Sequence, residues 1–99
     1  MIITFADDET ADIFNGVNSK KARKRLAPVL WEKAQTKLDM VNRAYRLDDL
    51  KIPPNNRLEK LERDLIGYHS IRINDQYRII FKWDSEKRGA LGVKITDYH

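Results

Sequence analysis

The sequence predicts an α+β domain in which two N-terminal helices pack on one face of a small, mainly antiparallel sheet. Two observations indicate this class. Apolar and polar residues alternate along Ser70 to Trp83, which is typical of two strands joined by a short turn. Apolar residues at helical spacing precede them, between Leu30 and Tyr45. Helices that come before a run of antiparallel strands pack together on one side of the sheet.

Residues 1–25 predict a short strand, a short helix and a basic run. Met1 to Phe5 is apolar and favours a strand, whereas Asp7 to Asn15 carries acids in its first turn, where the helix dipole stabilises them. The basic run, Asn18 to Arg25, contains Lys20, Lys21, Arg23, Lys24 and Arg25. This run is either a solvated helix start or loop, or a patch that contacts phosphates.

A longer helix is predicted from Pro28, which fits a first helical turn, to about Arg46. Its apolar stripe consists of Leu30, Ala34, Leu38, Val41 and Tyr45. Its other side is predicted to face solvent and carries Glu32, Lys33, Lys37, Asp39 and Arg43. Leu47 to Lys51 adds a helical turn before Pro53 to Asn56 break the chain.

Four strands are predicted after this break. The first is Arg57 to Leu61 and the last is Ala90 to Asp97. Between them, Asn74 to Gln76 joins the two strands of a hairpin. Three cations alternate with the apolar residues of this hairpin: Arg72, Arg78 and Lys82. One face of the hairpin is therefore predicted to be apolar, and the other to leave its cations free for a partner.

The composition limits the kinds of function. The chain has 99 residues, a net charge of +4 and a pI near 9.4, which weakly favours an anionic partner such as nucleic acid. It has no cysteine, which excludes disulfides, thiolate catalysis and cysteine metal sites. It also has no glycine-rich phosphate loop and no paired histidines, so we expect no metal and no cofactor. No signal peptide or membrane span is recognised, and we expect one cytoplasmic domain over residues 1–99.

Several polar side chains would converge if the last two predicted strands are neighbours. The set consists of Arg78, Lys82, Lys94, Thr96, Tyr98 and His99. It suits RNA cleavage, in which a base takes the 2′-hydroxyl proton, an acid protonates the leaving 5′-oxygen and a guanidinium stabilises the phosphorane. The other interpretation is that Tyr98 packs and His99 frays. His69 shares the side of Ile71 and is predicted to be a core histidine.

Three stretches, in this order, resemble the HigB branch of the RelE/ParE toxin superfamily: Leu50 to Glu59, Ser70 to Trp83, and Asp97-Tyr98-His99. The resemblance extends over the whole chain. It implies a small mixed sheet with two N-terminal helices on one side. It also implies a metal-independent, ribosome-dependent endoribonuclease that cuts mRNA in the ribosomal A site. The implied partner is a HigA-type helix-turn-helix antitoxin, through which the toxin reaches operator DNA.

The same resemblance assigns roles to residues. Arg78 corresponds to the transition-state arginine of the family, and Tyr98 and His99 to its catalytic pair. Glu59 and Glu62 stand where some relatives have a histidine and a lysine, so either the base differs or nearby cations supply the missing charge. The predicted RNA contacts are Gln76, Arg57, Lys60, Arg63, Arg72, Lys82, Lys94 and Asp97.

Two other functions stay open at this point. One is a ParE-like toxin that acts on DNA gyrase through protein contact and has no nuclease activity. The other is a weakly toxic co-repressor subunit, which the glutamates at positions 59 and 62 keep possible. The Asp97-Tyr98-His99 stretch favours the nuclease, because a gyrase binder has no need of an imidazole there.

Overall fold

The computed structural model describes residues 1–97, and within them helices precede a four-stranded sheet. The α-helices are α1 (Asp8–Asn15), α2 (Lys20–Arg25) and α3 (Trp31–Arg43). The strands are β1 (Glu59–Lys60), β2 (Tyr68–Arg72), β3 (Tyr77–Asp84) and β4 (Gly89–Asp97). Short 3-10 turns lie at Pro28–Leu30, Leu47–Lys51, Pro54–Asn56 and Arg63–Leu65.

The sheet is an antiparallel meander in the order β1-β2-β3-β4. The N-terminal segment adds two isolated parallel bridges to β4, Ile2 to Ala90 and Phe5 to Val93. In the described residues, the strand predicted at Met1 to Phe5 is present only as these two bridges. Because the bridges are parallel, they add a parallel element to the antiparallel sheet. Beyond Val93, a side chain provides the hydrogen bond at this edge of β4: the Ile95 backbone N–H donates to Thr10 Oγ1.

One face of the sheet forms the core against the helices, as predicted. Ile71, Ile79 and Ile95 are directly paired across β2, β3 and β4, and all three are fully buried. The helices cover them with Ile13, Ala34, Leu38 and Val41, which are also fully buried. Burying β-branched side chains across three strands in this way fixes the register, since a slip of one residue would expose them.

Three predictions about the elements need correction. The basic run forms a helix of its own, α2, so three α-helices precede the sheet instead of two. The third helix ends at Arg43 because Ala44 is extended, and Tyr45 is therefore 63% exposed, with the Arg88 guanidinium 4.1 Å from its ring centroid. The strand predicted at Arg57 to Leu61 shrinks to two residues because Arg57 adopts a left-handed conformation (φ 46°).

Among residues 1–97, no helix is long and apolar enough to cross a membrane.

Candidate functional site

The strand register gathers charge on the face of the sheet that lies away from the helices. Arg72 on β2 is paired with Arg78 on β3, which is paired with Thr96 on β4. Side chains alternate between faces, so the same face also carries Glu59, Ser70, Ile80, Lys82 and Lys94. The predicted convergence of Arg78, Lys82, Lys94 and Thr96 on neighbouring strands is therefore found, and Arg72 joins them from β2.

The Arg78 side chain is buried and fixed by hydrogen bonds within the protein. It is only 8% exposed; its Nε donates to Ser70 Oγ at 2.9 Å and its Nη2 donates to the Arg57 carbonyl at 2.7 Å. The Glu59 carboxylate lies 4.0 Å from the same Nη2. The prediction that this face leaves its cations free is therefore wrong for Arg78, because the chain around Arg57 covers this part of the sheet. Hydrogen bonds of this kind fix the plane of the guanidinium.

The turn that carries Arg57 is anchored from the helical side. Asn56 is fully buried, donates to the Leu50 carbonyl at 3.2 Å and accepts a hydrogen bond from Lys37 Nζ. Lys37 is 7% exposed, so its predicted place on a solvent face is wrong. The lysine reaches across to Asn56 because the 3-10 turn Pro54–Asn56 folds back beside α3.

Beside Arg78 lies a cavity of about 200 Å³, which we call the arginine cavity. Its walls are Arg57, Arg72, Asn74, Asp75 and Arg78. Three arginines around so small a space favour an anion with several oxygen atoms, because a guanidinium group can donate two parallel hydrogen bonds to a phosphate. Asp75 forms an ion pair with Arg72 at the rim, and its side chain is 95% exposed.

Gln76 and Asp97 lie together at the end of the hairpin, where Gln76 Nε2 donates to Asp97 Oδ2 at 3.0 Å. Asp97 is paired with Tyr77, the residue before Arg78, so the chain leaves β4 next to the strand that carries Arg78. The predicted catalytic residues Tyr98 and His99 lie outside the described residues.

The remaining predicted contacts divide between the two faces. Lys82 lies on the face of Arg78 with its Nζ 5.0 Å from the Tyr68 ring centroid, and Lys94 is paired with Ile80. Lys60 is paired with His69 on the opposite, core-facing side, so the structure does not bring it to Arg78. Arg63 is exposed in the turn Arg63–Leu65 and does not line the arginine cavity.

His69 faces the core, as predicted, with its ring centroid 6.3 Å from that of Phe81. Burial, and secondarily the charge of Lys60, lowers the pKa of His69 below its ordinary value. Its buried Nδ1 has no hydrogen-bond partner within residues 1–97. A neutral imidazole on the far side of the sheet is not placed to transfer a proton at Arg78.

Most cations of the basic run form hydrogen bonds or ion pairs within the protein. Arg25 donates to Asp7 at 2.7 Å, to Glu9 at 2.8 Å and to the Ile95 carbonyl at 2.9 Å. Lys21 pairs with Asp8, and Arg23 donates to Asn18. Lys20 and Lys24 are exposed, and the described part of the chain provides no ion pair for either. The run therefore forms a helix, and three of its cations bind partners within the protein. A phosphate contact by Lys20 and Lys24 stays a prediction.

No group of three or more histidine, aspartate or glutamate side chains in the described region is placed to hold a metal ion. The cations that this face presents are Arg72, Arg78, Lys82 and Lys94. They can bind phosphate oxygens and stabilise negative charge that develops on them.

Comparisons with known proteins show which family this chain resembles. A family model described as the RelE-like toxin of type II toxin–antitoxin system HigB matches residues 4–99. Toxin HigB-1 of Vibrio cholerae is 50% identical over 62 residues, which span 62% of this chain and 65% of that protein. An uncharacterized protein of Haemophilus influenzae is 40% identical over 70 residues, or 71% of this chain and 69% of that one.

The fold also resembles solved structures. A YoeB–YefM complex from Staphylococcus aureus contains a chain that matches with a TM-score of 0.61 at 18% identity, over 100% of this chain and 98% of that one. A heterotetrameric YoeB–YefM toxin–antitoxin complex from the same organism matches equally well. This likeness confirms the predicted fold.

Proposed function

The chain belongs to the HigB-like, RelE-type toxins of type II toxin–antitoxin systems, and we propose that it is a metal-independent endoribonuclease that cuts mRNA on the ribosome. The observation that carries the proposal is the fixed guanidinium of Arg78 in a cavity lined by two further arginines. Such a site is complementary to a phosphodiester whose negative charge grows during the reaction.

The proposed reaction is an internal transfer at phosphorus. The 2′-oxygen of the RNA forms a bond to the adjacent phosphorus, and the bond from phosphorus to the 5′-oxygen breaks. The 2′-hydroxyl proton goes to a base, and an acid returns a proton to the leaving 5′-oxygen. The products are a 2′,3′-cyclic phosphate and a 5′-hydroxyl, without added water or metal.

Arg78 stabilises the phosphorane in this scheme. Ser70 and the Arg57 carbonyl hold two of its nitrogen atoms before substrate arrives, so little reorganisation is needed during the reaction. We assign proton transfer to His99 and orientation or stacking of the nucleotide to Tyr98. Asp97, which accepts a hydrogen bond from Gln76 in the β2–β3 turn, directly precedes them in the sequence.

The other cations bind the RNA strand. Arg57 and Arg72 line the arginine cavity, while Lys82 and Lys94 extend the positive face along β3 and β4. Lys60 and Arg63 are not assigned to the substrate, because they lie away from this face. They remain available to the ribosome, where backbone phosphates are abundant.

We propose that the partner in the cell is a HigA-type helix-turn-helix antitoxin. The type II family model and the toxin–antitoxin complexes among the structural neighbours support a protein antitoxin. The antitoxin would neutralise the toxin in the cytoplasm and carry it to operator DNA.

The test is cleavage of mRNA on programmed ribosomes by the purified toxin, with mapping of the new 5′ ends. We expect cleavage by the wild type and a loss of about 10²- to 10³-fold for Arg78→Ala, as for removal of one fixed donor in other enzymes. Lys87→Gln, an exposed change in the distant β3–β4 turn, is the matched control. Full activity of folded Arg78→Ala would overturn the proposal, and gyrase inhibition without cleavage would favour the ParE-like function.

Glu59 favours a second candidate, the weakly toxic co-repressor subunit. Its carboxylate lies 4.0 Å from the Arg78 guanidinium, where it competes with a substrate phosphate for the same charge. Operator binding by the toxin–antitoxin complex, together with no mRNA cleavage on programmed ribosomes by the toxin freed of antitoxin, would support this candidate.

A further inference from the structure

Lys37 carries a buried charge that no carboxylate of residues 1–97 neutralises. Its side chain leaves α3 and is 7% exposed. The polar partners of its ammonium group are two side-chain amide oxygens, Asn56 Oδ1 and, at 3.4 Å, Asn55 Oδ1. Buried lysines are rare in proteins unless they are paired with an acid.

The surroundings of Lys37 make this charge still less favourable. Burial, and secondarily the charge of Lys33 one helical turn earlier, lowers the pKa of Lys37. Lys33 is exposed and likewise has no carboxylate partner in the described part of the chain. An anion placed between these two ammonium groups would neutralise both.

There is space for such an anion. A cavity of about 260 Å³, here called the Lys37 pocket, is lined by Lys33, Lys37, Asn55, Arg72, Ile73, Asn74 and Asp75. It shares Arg72, Asn74 and Asp75 with the arginine cavity, so the two cavities adjoin across the Arg72 side chain. The ion pair between Arg72 and Asp75 lies on this shared wall.

We propose that the Lys37 pocket binds a second backbone phosphate of the RNA strand whose scissile phosphate lies at Arg78. The inference rests on the proposed function for the identity of that strand. Two ammonium groups and one guanidinium supply charge-assisted donors for the phosphate oxygens. Arg72 contacts both phosphates, and the exposed Asp75 carboxylate gives way when the strand enters.

The position of the pocket favours RNA over a small soluble anion. A free phosphate needs one site, whereas here two adjoining cavities bring together the cations Lys33, Lys37, Arg72, Arg57 and Arg78, with Asp75 paired to Arg72 on the shared wall. A second fixed phosphate would align the strand so that the 2′-oxygen lies opposite the 5′-oxygen at the scissile bond.

The first experiment titrates the purified toxin with inorganic phosphate, against chloride at equal ionic strength, and follows side-chain amide signals by NMR. We expect the Asn55 amide to shift, because its oxygen accepts from Lys37. The shift should weaken in Lys33→Gln and persist in the matched control Lys87→Gln. No shift of Asn55 in the wild type would overturn the pocket as a phosphate site.

The second experiment identifies the source of the phosphate. Ribosome-bound mRNAs are prepared with one uncharged methylphosphonate at each successive position around the cleavage site, and their cleavage is measured. We expect one position beside the scissile bond at which neutralisation slows the wild type about two- to fivefold but leaves Lys33→Gln unaffected. If both proteins respond alike at every position, the assignment to RNA is wrong.

These two readouts separate the inference from the proposed function. If the wild type cleaves no mRNA, the proposed function fails, and the phosphate titration still decides whether the pocket binds phosphate. If the wild type cleaves normally and Asn55 does not respond, the pocket fails while the proposed function stands. Lys33 suits the test because it is exposed and its replacement leaves the Lys37–Asn56 contact intact.

Discussion

The Glu59 carboxylate lies 4.0 Å from the Arg78 guanidinium, on the sheet face where the cations converge. The Glu59 side chain is half exposed, whereas that of Arg78 is almost fully buried. The pair therefore places a half-exposed acid beside a fixed guanidinium. A carboxylate in this position attracts the guanidinium and repels an incoming phosphate, so Glu59 should restrain the activity that Arg78 supports.

Glu59→Gln should therefore cleave ribosome-bound mRNA faster than the wild type. Because the Glu59 carboxylate is half exposed and 4.0 Å from the guanidinium, the pair contributes about 0.2–1 kcal/mol, and we expect an increase of about 1.4- to 5-fold. The measurement is the single-turnover cleavage rate at low salt. Glu62→Gln is the control, because Glu62 is also exposed but lies beyond β1, at the start of the turn Arg63–Leu65. An unchanged or slower rate in Glu59→Gln would show that Glu59 has no restraining role.

Asn56→Ala should lower the free energy of unfolding by about 1–3 kcal/mol, because Lys37 and the Leu50 carbonyl each lose a buried partner. Urea denaturation measures this change. Asn55→Ala, at an exposed position with a longer contact to Lys37, should cost less than about 0.5 kcal/mol. Adding Lys37→Met to Asn56→Ala should recover part of the loss, and strict additivity of the two changes would argue against their coupling.

The burial of Lys37 and Arg78 by the turn around Asn56 could not be predicted from the sequence. Alternation in Ser70 to Trp83 correctly predicted the hairpin, its apolar face and the side on which Arg78 lies, because a period of two depends only on local geometry. Burial of Lys37 and Arg78 depends on the turn at Pro54–Asn56, which folds over residues distant in sequence. The two prolines and two asparagines signalled a turn, but nothing local indicated which side chains it would cover.

The basic run shows the same limit for charge. Five cations after an acidic segment predicted either a solvated surface or a phosphate contact, and no local pattern distinguishes one cation of the run from another. The structure divides them by packing: α2 lies against α1, so Arg25 and Lys21 meet the acids of that helix. Tyr45 shows that periodicity can also extend too far. Apolar residues continue at helical spacing up to Tyr45, but α3 ends at Arg43.

Stability should fall as the pH decreases from about 6.5, the ordinary pKa of histidine, towards the lowered pKa of folded His69. In this range the unfolded chain binds a proton at His69 that the folded chain does not, so protonation favours unfolding. The slope should stay below the roughly 1.4 kcal/mol per pH unit of one full proton, because solvent partly screens the ring. Urea unfolding of the wild type and His69→Phe between pH 7 and 5 measures the difference; parallel profiles would contradict the prediction.

Replacing both Lys20 and Lys24 by Gln should weaken ribosome binding without loss of stability. These lysines are exposed and form no ion pair within residues 1–97, so they are available to ribosomal RNA. If each contacts one phosphate, the slope of log K against log salt should decrease by roughly one unit per lysine. Sedimentation with ribosomes over a range of salt concentrations measures this slope.

Arg25→Gln should have the opposite pattern, because Arg25 links Asp7, Glu9 and the Ile95 carbonyl within the fold. We expect its unfolding free energy to fall by about 1–3 kcal/mol, while the salt dependence of ribosome binding stays as in the wild type. The two variants come from the same six-residue helix and both reduce its charge, so each is a control for the other. An unchanged salt slope in the lysine variant would mean that α2 serves the fold alone and that the ribosome is contacted elsewhere.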